Sequence, residues 1–354
     1  MGDPKPVLRA TLGQVALLAG VSLKTASRAL NGERYVASAT SERVKAAAKQ
    51  LGFRPDAVAR DFRVGARTPL VGLLMGDLAN PFYARLARGA ERRLYPAGLR
   101  LVSASTEESP ARERELVDEM LERRIRAILV VTSTDRHPHV ESEQRLGTPI
   151  VFVDRAPSDV VADTVLLDNA GGMAAAVEHL VSFGHERIGI LSCGRRLSTS
   201  RERLEAFEVA MDRAGLDGMR YARDGCDDTL SAARATTELL REPIPPTALI
   251  ATNNRLTIGV LRALHAQGRR VAFVGFDDFD LSDVLGTSVI AHDPEAMGEA
   301  AAGFVIDRLS GADSPARRLV LPTTLVVRES SSVRHTAVNG SPRQGRNREE
   351  SGRG

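Results

Sequence analysis

Tryptophan is absent from this sequence, aromatic residues make up only 4% of it, and the only cysteines are Cys193 and Cys226. The two cysteines form no C-x-x-C pair, so neither a disulfide framework nor a structural zinc site is indicated. No apolar run approaches the roughly 18 residues that a membrane-spanning helix needs. Residues 1–9 also lack the apolar segment of a signal peptide. We therefore expect a cytoplasmic protein without a membrane partner.

The motifs of common catalytic and cofactor sites are missing as well, since no GxGxxG, P-loop or GxSxG is present. His137 and His139 lie in a polar loop without neighbouring cysteines, which is typical of solvated side chains rather than of a metal site. No Ser/His/Asp set and no pair of catalytic carboxylates can be assembled from the sequence. We expect no enzymatic activity, no cofactor and no metal.

Positive charge is concentrated at one end of the chain. Residues 1–66 contain eleven Lys and Arg against five Asp and Glu, a net charge of +6, whereas the whole chain carries +3. The remaining residues are therefore mildly acidic. A basic segment on an acidic body predicts that the N-terminal segment contacts a polyanion. Charge alone does not distinguish this from a solvated basic segment.

Two short helical patterns follow one another in this basic segment. Thr11 and Gln14 fit a capping box, which begins the first helix. Gly20 permits a tight turn, and Ser22 is suited to cap the start of the second helix. This arrangement is typical of a helix-turn-helix, whose second helix enters the major groove of DNA.

The second helix has one polar face, because Lys24, Arg28 and Asn31 recur at i, i+4 and i+7. A third helical pattern is expected to begin at a cap formed by Ser38 or Thr40. Residues 56–63 form a further helical stretch that is too short to be stable alone. We expect this stretch to become ordered only against DNA or a second subunit.

Residues 11–65 resemble the DNA-binding head of the LacI/GalR family of bacterial transcription regulators. The matching pieces are T-L-x-x-V-A-x-x-A-G-V-S-x-x-T-x-S-R-x-L-N, T-x-x-R-V, L-G-F-R-P and A-x-A-R-x-F. The resemblance implies that Leu23, Lys24 and Arg28 read bases in the major groove. It implies that phosphates are held by Thr11, Ser22, Thr25, Ser27, Asn31 and Thr40.

The same resemblance places further residues against DNA, and these are Leu12, Tyr35, Ala59, Arg60 and Phe62. Phe62 stands where the family has a Leu that wedges between base pairs, and Phe is an accepted wedge. The implied partner is a near-palindromic operator in double-stranded DNA, bound by a homodimer. The sequence has no C-terminal leucine heptads, which favours a dimer over a tetramer.

From Pro69 onward, strand-like apolar runs alternate with helical patterns. This alternation predicts an α/β body with parallel sheets covered on both faces. The runs fall into two sets, which predicts two lobes. A first set of strands is expected at 70–75, 99–104, 127–132 and 150–154, and a second at 165–167, 188–192, 248–252 and 271–276.

The resemblance extends over roughly residues 10–332, through Asn80-Pro81-Phe82, Val153-Asp154-Arg155, Gly184-His185-x-Arg187-Ile188 and Gly275-Phe276-Asp277-Asp278. It implies a two-lobed core like that of periplasmic binding proteins. The predicted organisation is therefore an all-α helix-turn-helix head, a hinge, an α/β core and a tail expected to be disordered. The expected bounds are 1–54 for the head, 55–66 for the hinge, 67–333 for the core and 334–354 for the tail. Within the core, lobe 1 is expected at 67–162 and 294–321, and lobe 2 at 163–293 and 322–333.

Ligands of such folds bind beyond the carboxyl ends of the strands, where polar side chains follow several of the predicted strands. By position in the family, Phe82 and Tyr83 wall an effector pocket, with Thr132, Ser133 and Asp154 at its floor. Arg203 is the expected anchor from the second lobe. The remaining expected contacts are Asn254, Asp277 and His292.

Three positions depart from the family pattern in this pocket. Asn254 replaces an acidic residue, His292 stands where many relatives have Gln, and Cys226 lies where an aromatic often stacks on the ligand. A guanidinium beside carboxylate and amide groups suits a polyhydroxyl ligand or one that carries a carboxylate.

These features together predict a transcription regulator, most simply a repressor, that is controlled by a sugar or a related polyhydroxyl metabolite bound between the lobes. A nucleobase or a sugar acid is the alternative effector. A solute-binding receptor is disfavoured because the basic head is present and a signal peptide is not. A sugar-active enzyme would need a carboxylate pair that the sequence does not supply.

Overall fold

In the computed structural model, residues 10–33, 35–53, 68–138 and 140–334 are described. The chain separates into two compact units, residues 1–68 and 69–354, and each is described by itself. No helix in these described ranges is both long and apolar enough to cross a membrane.

The first unit contains three helices, α1 (Leu12–Leu18), α2 (Leu23–Leu30) and α3 (Ser38–Gln50). Thr11 and Gln14 form the predicted capping box at the start of α1. Ser22 caps α2, since its hydroxyl accepts from the backbone N–H of Thr25 at 3.1 Å. The turn between the two helices passes through Gly20 at φ +64°, a conformation that glycine adopts without strain.

Small apolar side chains hold the three helices together. The buried cluster is Val15, Ala16, Ala19, Ala26, Ala29, Val44, Ala47 and Ala48. Because most of these are alanines, the helices can pack closely around Val15 and Val44. The prediction that Ser38 or Thr40 caps α3 was wrong, because the helix begins at Ser38 after Ala37, which makes no side-chain capping bond.

The second unit contains two lobes, each built on a six-stranded sheet. The lobe 1 sheet has the order β11-β5-β4-β3-β1-β2, and every pairing in it is parallel. Its strands are β1 (Leu70–Met75), β2 (Arg100–Ser105), β3 (Ala127–Val130), β4 (Ile150–Val153), β5 (Thr164–Leu167) and β11 (Arg318–Leu321). Its helices are α4 (Pro81–Leu94), α5 (Pro110–Glu122), α6 (Val140–Arg145) and α11 (Pro294–Leu309).

The lobe 2 sheet has the order β12-β10-β9-β8-β6-β7. It is parallel except for β12, which runs antiparallel to β10. Its strands are β6 (Ile188–Leu191), β7 (Ala222–Arg223), β8 (Ala248–Ala251), β9 (Ala272–Phe276), β10 (Ser288–Ala291) and β12 (Thr324–Val326). Its helices are α7 (Asn169–Ser182), α8 (Ser198–Arg213), α9 (Thr229–Arg241) and α10 (Asn254–Gln267).

The predicted lobe boundary at residue 163 was wrong. Strand β5, which was expected to begin lobe 2, pairs with β4 and β11 in the lobe 1 sheet. All four residues of β5 are buried, so its composition fits either sheet equally well and only the pairing decides. The chain crosses between the lobes after Leu167, after Ala291 and after Leu321.

Helix α4, which carries Phe82 and Tyr83, is fixed by a close crossing with α11. A Cβ on Gly89 would lie 2.0 Å from the carbonyl oxygen of Glu295, and a Cβ on Gly298 would lie 2.0 Å from that of Leu86. Both positions therefore need glycine so that the two backbones can touch. This contact sets where the first turn of α4 meets the cleft between the lobes.

Candidate functional sites

The first site is the exposed surface of the N-terminal unit. Leu23 is 57% exposed and Tyr35 is 95% exposed. Lys24 and Arg28 on α2, and Asn31 just after it, are all exposed, as their spacing predicted. The other described residues expected at DNA are exposed or half-buried, namely Thr11, Leu12, Ser22, Thr25, Ser27 and Thr40.

Local bonds position this surface. The hydroxyls of Ser22 and Thr25 lie 2.8 Å apart at the first turn of α2. Arg28 is 3.4 Å from Glu33, and both side chains are almost half exposed. An exposed pair of this kind is weak, so Arg28 is able to exchange its partner for another acceptor. Ala59, Arg60 and Phe62, and with them the expected hinge at 55–66, lie outside the described residues.

The second site is a cavity of about 400 Å³ between the two lobes. It lies beyond the carboxyl ends of β1, β2, β4, β6, β8 and β9, which is where parallel α/β folds bind ligands. The described lining is strongly polar. Carboxylates come from Asp77, Glu107, Glu108, Asp154, Asp227 and Asp277, and guanidinium groups from Arg155, Arg196, Arg203 and Arg255.

On the lobe 1 side, Arg155 organises the cavity wall. Its two terminal nitrogens donate to the two carboxylate oxygens of Glu108 at 2.6 and 3.0 Å. They also donate to the backbone carbonyl of Thr132 at 2.8 Å and to the Tyr83 hydroxyl at 3.2 Å. Burial raises the pKa of the Tyr83 hydroxyl, so it remains a neutral donor. It donates to Glu108 at 3.3 Å.

On the lobe 2 side, Arg203 is buried and held on three sides. Its Nε donates to the Asn169 side-chain oxygen at 2.8 Å, and a terminal nitrogen donates to the Thr252 carbonyl at 2.6 Å. Its guanidinium carbon lies 3.6 Å from the centre of the Phe276 ring, a cation–π contact. Asn169 is itself fixed by Glu202 at 2.8 Å. The guanidinium is therefore preorganised at the cavity wall.

Two aspartates occupy matching places at the ends of β4 and β9. Asp154 and Asp277 have φ values of +67° and +69°, which are uncommon for residues other than glycine. Burial raises the pKa of Asp154. Burial also acts to raise the pKa of Asp277, but hydrogen bonding and charge from His292, the charge of Arg203 and the Asn254 backbone N–H together hold it below its usual value. The pair therefore gives the cavity one readily ionised and one less readily ionised carboxyl.

Contacts across the cleft join the lobes on two rims. On one rim, Arg201 pairs with Asp135 at 3.1 Å and Arg196 donates to the Ser133 carbonyl at 3.1 Å. On the other rim, Arg255 pairs with Asp77 at 3.1 Å. Beside it, the Asn254 amide donates to the Asn80 side-chain oxygen at 2.7 Å. Each rim thus carries an ion pair together with a further hydrogen bond.

The structure brings together most of the residues expected to bind an effector. Phe82, Tyr83, Asp154, Arg203 and Asp277 line the main cavity. Asn254 and His292 line a small recess beside it, together with Phe82 and Asp277. There His292 lies 2.8 Å from Asp277, and its ring centre is 5.6 Å from that of Phe82.

Thr132 and Ser133 do not line this cavity, so the predicted floor is corrected. The Thr132 hydroxyl is 3.0 Å from Glu113, and the backbone N–H of Ser133 donates to the same buried carboxylate. His137 also approaches Glu113, at 3.0 Å. These bonds turn the Thr132 hydroxyl and the Ser133 backbone N–H toward the lobe 1 interior. Cys226 is likewise buried in the lobe 2 core rather than at the cavity, which Cys193 lines instead.

Several lining residues were not among those expected to bind an effector, chiefly Arg155, Glu108, Arg196, Arg255 and Asp227. Arg155 is the second residue after β4, so its position beyond a strand end was the available signal. Glu108 and Arg196 lie in loops whose path sequence periodicity does not predict. Among the described residues, no group of three or more His, Cys, Asp and Glu side chains is arranged to hold a metal.

Two parts of the chain match known protein families. Residues 11–56 match the family of bacterial regulatory proteins, lacI family. Residues 177–331 match the periplasmic binding protein-like domain. The first match covers the three helices of the N-terminal unit, and the second covers most of lobe 2 and the last two crossovers.

Individual relatives are similar over nearly the whole chain. The ribose operon repressor of Escherichia coli (strain K12) is 32% identical over 332 residues, which cover 91% of this chain and 100% of the repressor. The transcriptional repressor PurR of Photobacterium profundum is 30% identical over 329 residues, covering 91% of this chain and 98% of PurR. The structure of the transcriptional regulator CelR in complex with cellobiose is 30% identical. It covers 91% of this chain and 100% of CelR, with a TM-score of 0.68.

Proposed function

The chain belongs to the LacI family of bacterial regulatory proteins and is an effector-regulated DNA-binding repressor, and we propose that its effector is an uncharged polyhydroxyl molecule bound in the cavity between the lobes. The single observation that supports this class of effector is the charge of the cavity wall. Six carboxylates and four guanidinium groups of the described residues line the cavity, and two of the arginines already pair with lining carboxylates, Arg155 with Glu108 and Arg255 with Asp77.

A wall of this composition disfavours an anion. A sugar acid or sugar phosphate would meet an excess of negative charge, and like charges in a desolvated site cost several kcal/mol. A neutral polyol can instead donate its hydroxyls to the carboxylates and accept from Arg203 and the amides. Two of the three relatives described above point the same way, the ribose operon repressor and the CelR–cellobiose complex.

A nucleobase effector fits this wall less well. Planar bases are held by stacking on aromatic side chains, and the only described aromatics that line the cavity are Phe82 and Tyr83. These two rings already meet each other edge to face, at 5.0 Å between centres. A purine would therefore lack a second aromatic wall.

The DNA-binding surface in this proposal is α2 with the residues around it. Lys24 and Arg28 supply the cationic groups, and the Ser22 end of α2 supplies N–H donors for a phosphate. We assign residues 1–54 to the head and 55–66 to the connection with the effector core. A repressor of this kind acts on the chromosome, so its place is the cytoplasm.

We further propose that the chain acts as a homodimer. A near-palindromic operator needs two heads related by a twofold axis. Lobe 2 exposes a group of large apolar side chains in the turn before β10, with Leu281 59%, Val284 77% and Leu285 57% exposed. A second copy would bury them. Sedimentation equilibrium tests this: we expect a dimer that Val284→Asp weakens, and a wild-type monomer at micromolar concentration would contradict it.

Binding of named probes tests the effector proposal. The full-length protein is titrated calorimetrically with D-ribose and cellobiose as neutral sugars, D-gluconate as a sugar acid and adenine as a nucleobase. We expect saturable binding of a neutral sugar. Tighter binding of D-gluconate or adenine than of either sugar would overturn the assignment of an uncharged polyhydroxyl effector.

A further inference from the structure

Arg155 already holds a carboxylate that belongs to the protein. The guanidinium binds Glu108 in bidentate fashion, through one nitrogen at 2.6 Å and the other at 3.0 Å. This fork-to-fork geometry is the one by which arginine recognises an external carboxylate or phosphate. Glu108 therefore occupies the place on Arg155 that an anionic ligand would take. The side chain of Glu108 is still 27% exposed and lines the cavity.

The backbone is built to hold Glu108 in this place. Glu107 and Glu108 have φ values of +51° and +55°, two consecutive left-handed residues that are not glycine. Such conformations are costly and persist only where the surroundings enforce them. Gly76, at the end of β1, leaves the space that Glu108 fills. A Cβ at position 76 would lie 2.0 Å from Glu108 Oε1 and 2.6 Å from its Cδ.

The rest of the wall does not offer Arg155 a substitute for Glu108. The Thr132 carbonyl and the Tyr83 hydroxyl, whose pKa burial raises, carry no charge. Asp154 lies 3.7 Å from Arg155 Nε, on the side of the guanidinium away from the fork. Removing Glu108 would thus leave a buried guanidinium with two terminal nitrogens facing the cavity.

We propose that Glu108 is a specificity-determining residue, an internal counterion that occupies Arg155 and so excludes sugar phosphates and sugar acids from the effector cavity. Its carboxylate acts twice, by filling the arginine fork and by repelling a second anion. This proposal rests on the cavity being the effector site, and it adds that one residue sets the choice between neutral and anionic ligands.

The test uses D-ribose 5-phosphate and inorganic phosphate as anionic probes on the full-length protein, with D-ribose as the neutral comparison. In Glu108→Ala we expect affinity for D-ribose 5-phosphate to rise on the order of tenfold or more over wild type. Adding Arg155→Gln to this variant should remove the gain. Gly76→Ala displaces Glu108 without deleting it, so it should also raise affinity for the anion.

Glu107→Ala is the matched control. Glu107 is the neighbouring residue, lines the same cavity and pairs with Arg112 at 2.6 Å instead of with Arg155. Its removal takes one negative charge from the cavity but leaves the Arg155 fork occupied. A gain in Glu107→Ala equal to that in Glu108→Ala would show that overall charge decides, and it would overturn the proposal.

The remaining outcomes are also decisive. If Glu108→Ala and Gly76→Ala both fold, as thermal unfolding and circular dichroism report, and neither binds the anion more tightly than wild type, the counterion role is wrong. Because the anion titration requires only Arg155, it is read independently of whether a neutral sugar binds. Absence of binding by D-ribose and cellobiose would instead count against the proposed effector class.

Discussion

The role of a charged residue in this protein depends on how many partners bind it. Asp163, directly before β5, is almost fully buried and accepts from Arg308 at 2.9 Å and from Arg317 at 3.1 Å. Burial acts to raise its pKa, but the hydrogen bonds from both arginines outweigh this and lower the pKa to about 2. The carboxylate ties the end of α11 to the lobe 1 sheet.

Replacing this carboxylate should lower stability in a pH-dependent way. A carboxyl whose pKa is lower in the folded state stabilises the fold fully above its unfolded pKa of about 3.9 and loses that contribution as the pH falls. At pH 7 we expect Asp163→Asn to lower the free energy of unfolding by about 2 to 3 kcal/mol. The difference from wild type should shrink as the pH falls from the unfolded pKa toward about 2, the folded-state pKa.

Urea unfolding at a series of pH values measures this. Asp307→Asn is the control, because exposed Asp307 pairs with the same Arg317 at 2.7 Å and should change stability by less than about 1 kcal/mol. A cost for Asp163→Asn that stays constant from neutral pH down to the folded-state pKa would rule out the linkage.

Arg203 is the second residue whose surroundings predict an outcome. Lysine at this position keeps the charge but cannot reach Asn169 and the Thr252 carbonyl together, nor stack flat on Phe276. We expect Arg203→Lys to fold and to bind operator DNA nearly as wild type does, while effector affinity falls on the order of tenfold to a hundredfold. Isothermal titration calorimetry with the neutral sugar that the wild type binds measures the two affinities.

Arg213→Lys serves as the comparison, because Arg213 is exposed at the end of the same helix, α8. If the two substitutions lower effector affinity equally, Arg203 has no special role in the cavity.

Within helix α2, we expect Arg28 to read bases and Ser22 and Thr25 to hold phosphates. Arg28→Ala should cost about 1 to 3 kcal/mol of operator affinity and relax sequence preference, whereas a lost phosphate contact lowers the salt dependence by about one charge. Lys49, exposed on α3, provides the control variant Lys49→Ala. Equal loss on operator and random DNA for Arg28→Ala would remove the base-reading role.

The ion pairs on the two rims of the cleft join lobe 1 to lobe 2. Arg201 with Asp135, and Arg255 with Asp77, are partly exposed pairs of the kind worth about 0.2 to 1 kcal/mol each. Together they should change the ratio of closed to open lobes by about twofold to thirtyfold. We expect Asp135→Asn with Asp77→Asn to increase hydrogen exchange at 133–135 in the protein without effector.

A variant that exchanges the charges of this pair, Asp135→Arg with Arg201→Asp, should keep the ion pair. We expect its residues 133–135 to be protected from hydrogen exchange as in the wild type. Glu119→Gln serves as the control. It breaks the exposed ion pair between Glu119 and Arg123 at the C-terminal end of α5. Unchanged exchange in the double asparagine variant would show that these pairs do not hold the lobes.

The helices, the strands and the residues at the strand ends could be predicted from the local sequence pattern. The helix caps at Thr11 and Ser22 follow from local residue types, and Asp154 and Asp277 follow from lying directly after buried strands. Strand β5 was assigned to the wrong sheet because four buried residues carry no information about their neighbours. Pairing between strands is a long-range property, and local pattern does not encode it.

The cavity wall shows the same limit at the level of single side chains. Thr132 and Ser133 do lie just beyond the end of β3, but the Thr132 hydroxyl and the Ser133 backbone N–H bond to buried Glu113 on α5. Glu108 reaches the cavity through two left-handed backbone angles and the space beside Gly76. Neither arrangement has a sequence period, so neither could be predicted from spacing alone.

The whole molecule combines two sites within one chain. The chain is an effector-regulated DNA-binding repressor, and we propose that the cavity holds the effector and that its binding alters the relation between the lobes. An effector can shift operator affinity only by the ratio of its own affinities for the two states. Coupling in such proteins is typically worth about 1 to 3 kcal/mol, so operator affinity should change by about fivefold to 150-fold.

The most direct test is operator binding with and without a neutral sugar. An operator is selected from random DNA with the full-length protein, and its Kd is measured by fluorescence anisotropy at one salt concentration. A saturating neutral sugar should change the operator Kd by about fivefold or more while leaving binding to random DNA unchanged. An operator Kd that stays the same although the sugar is bound would contradict control of the DNA-binding head by the cavity.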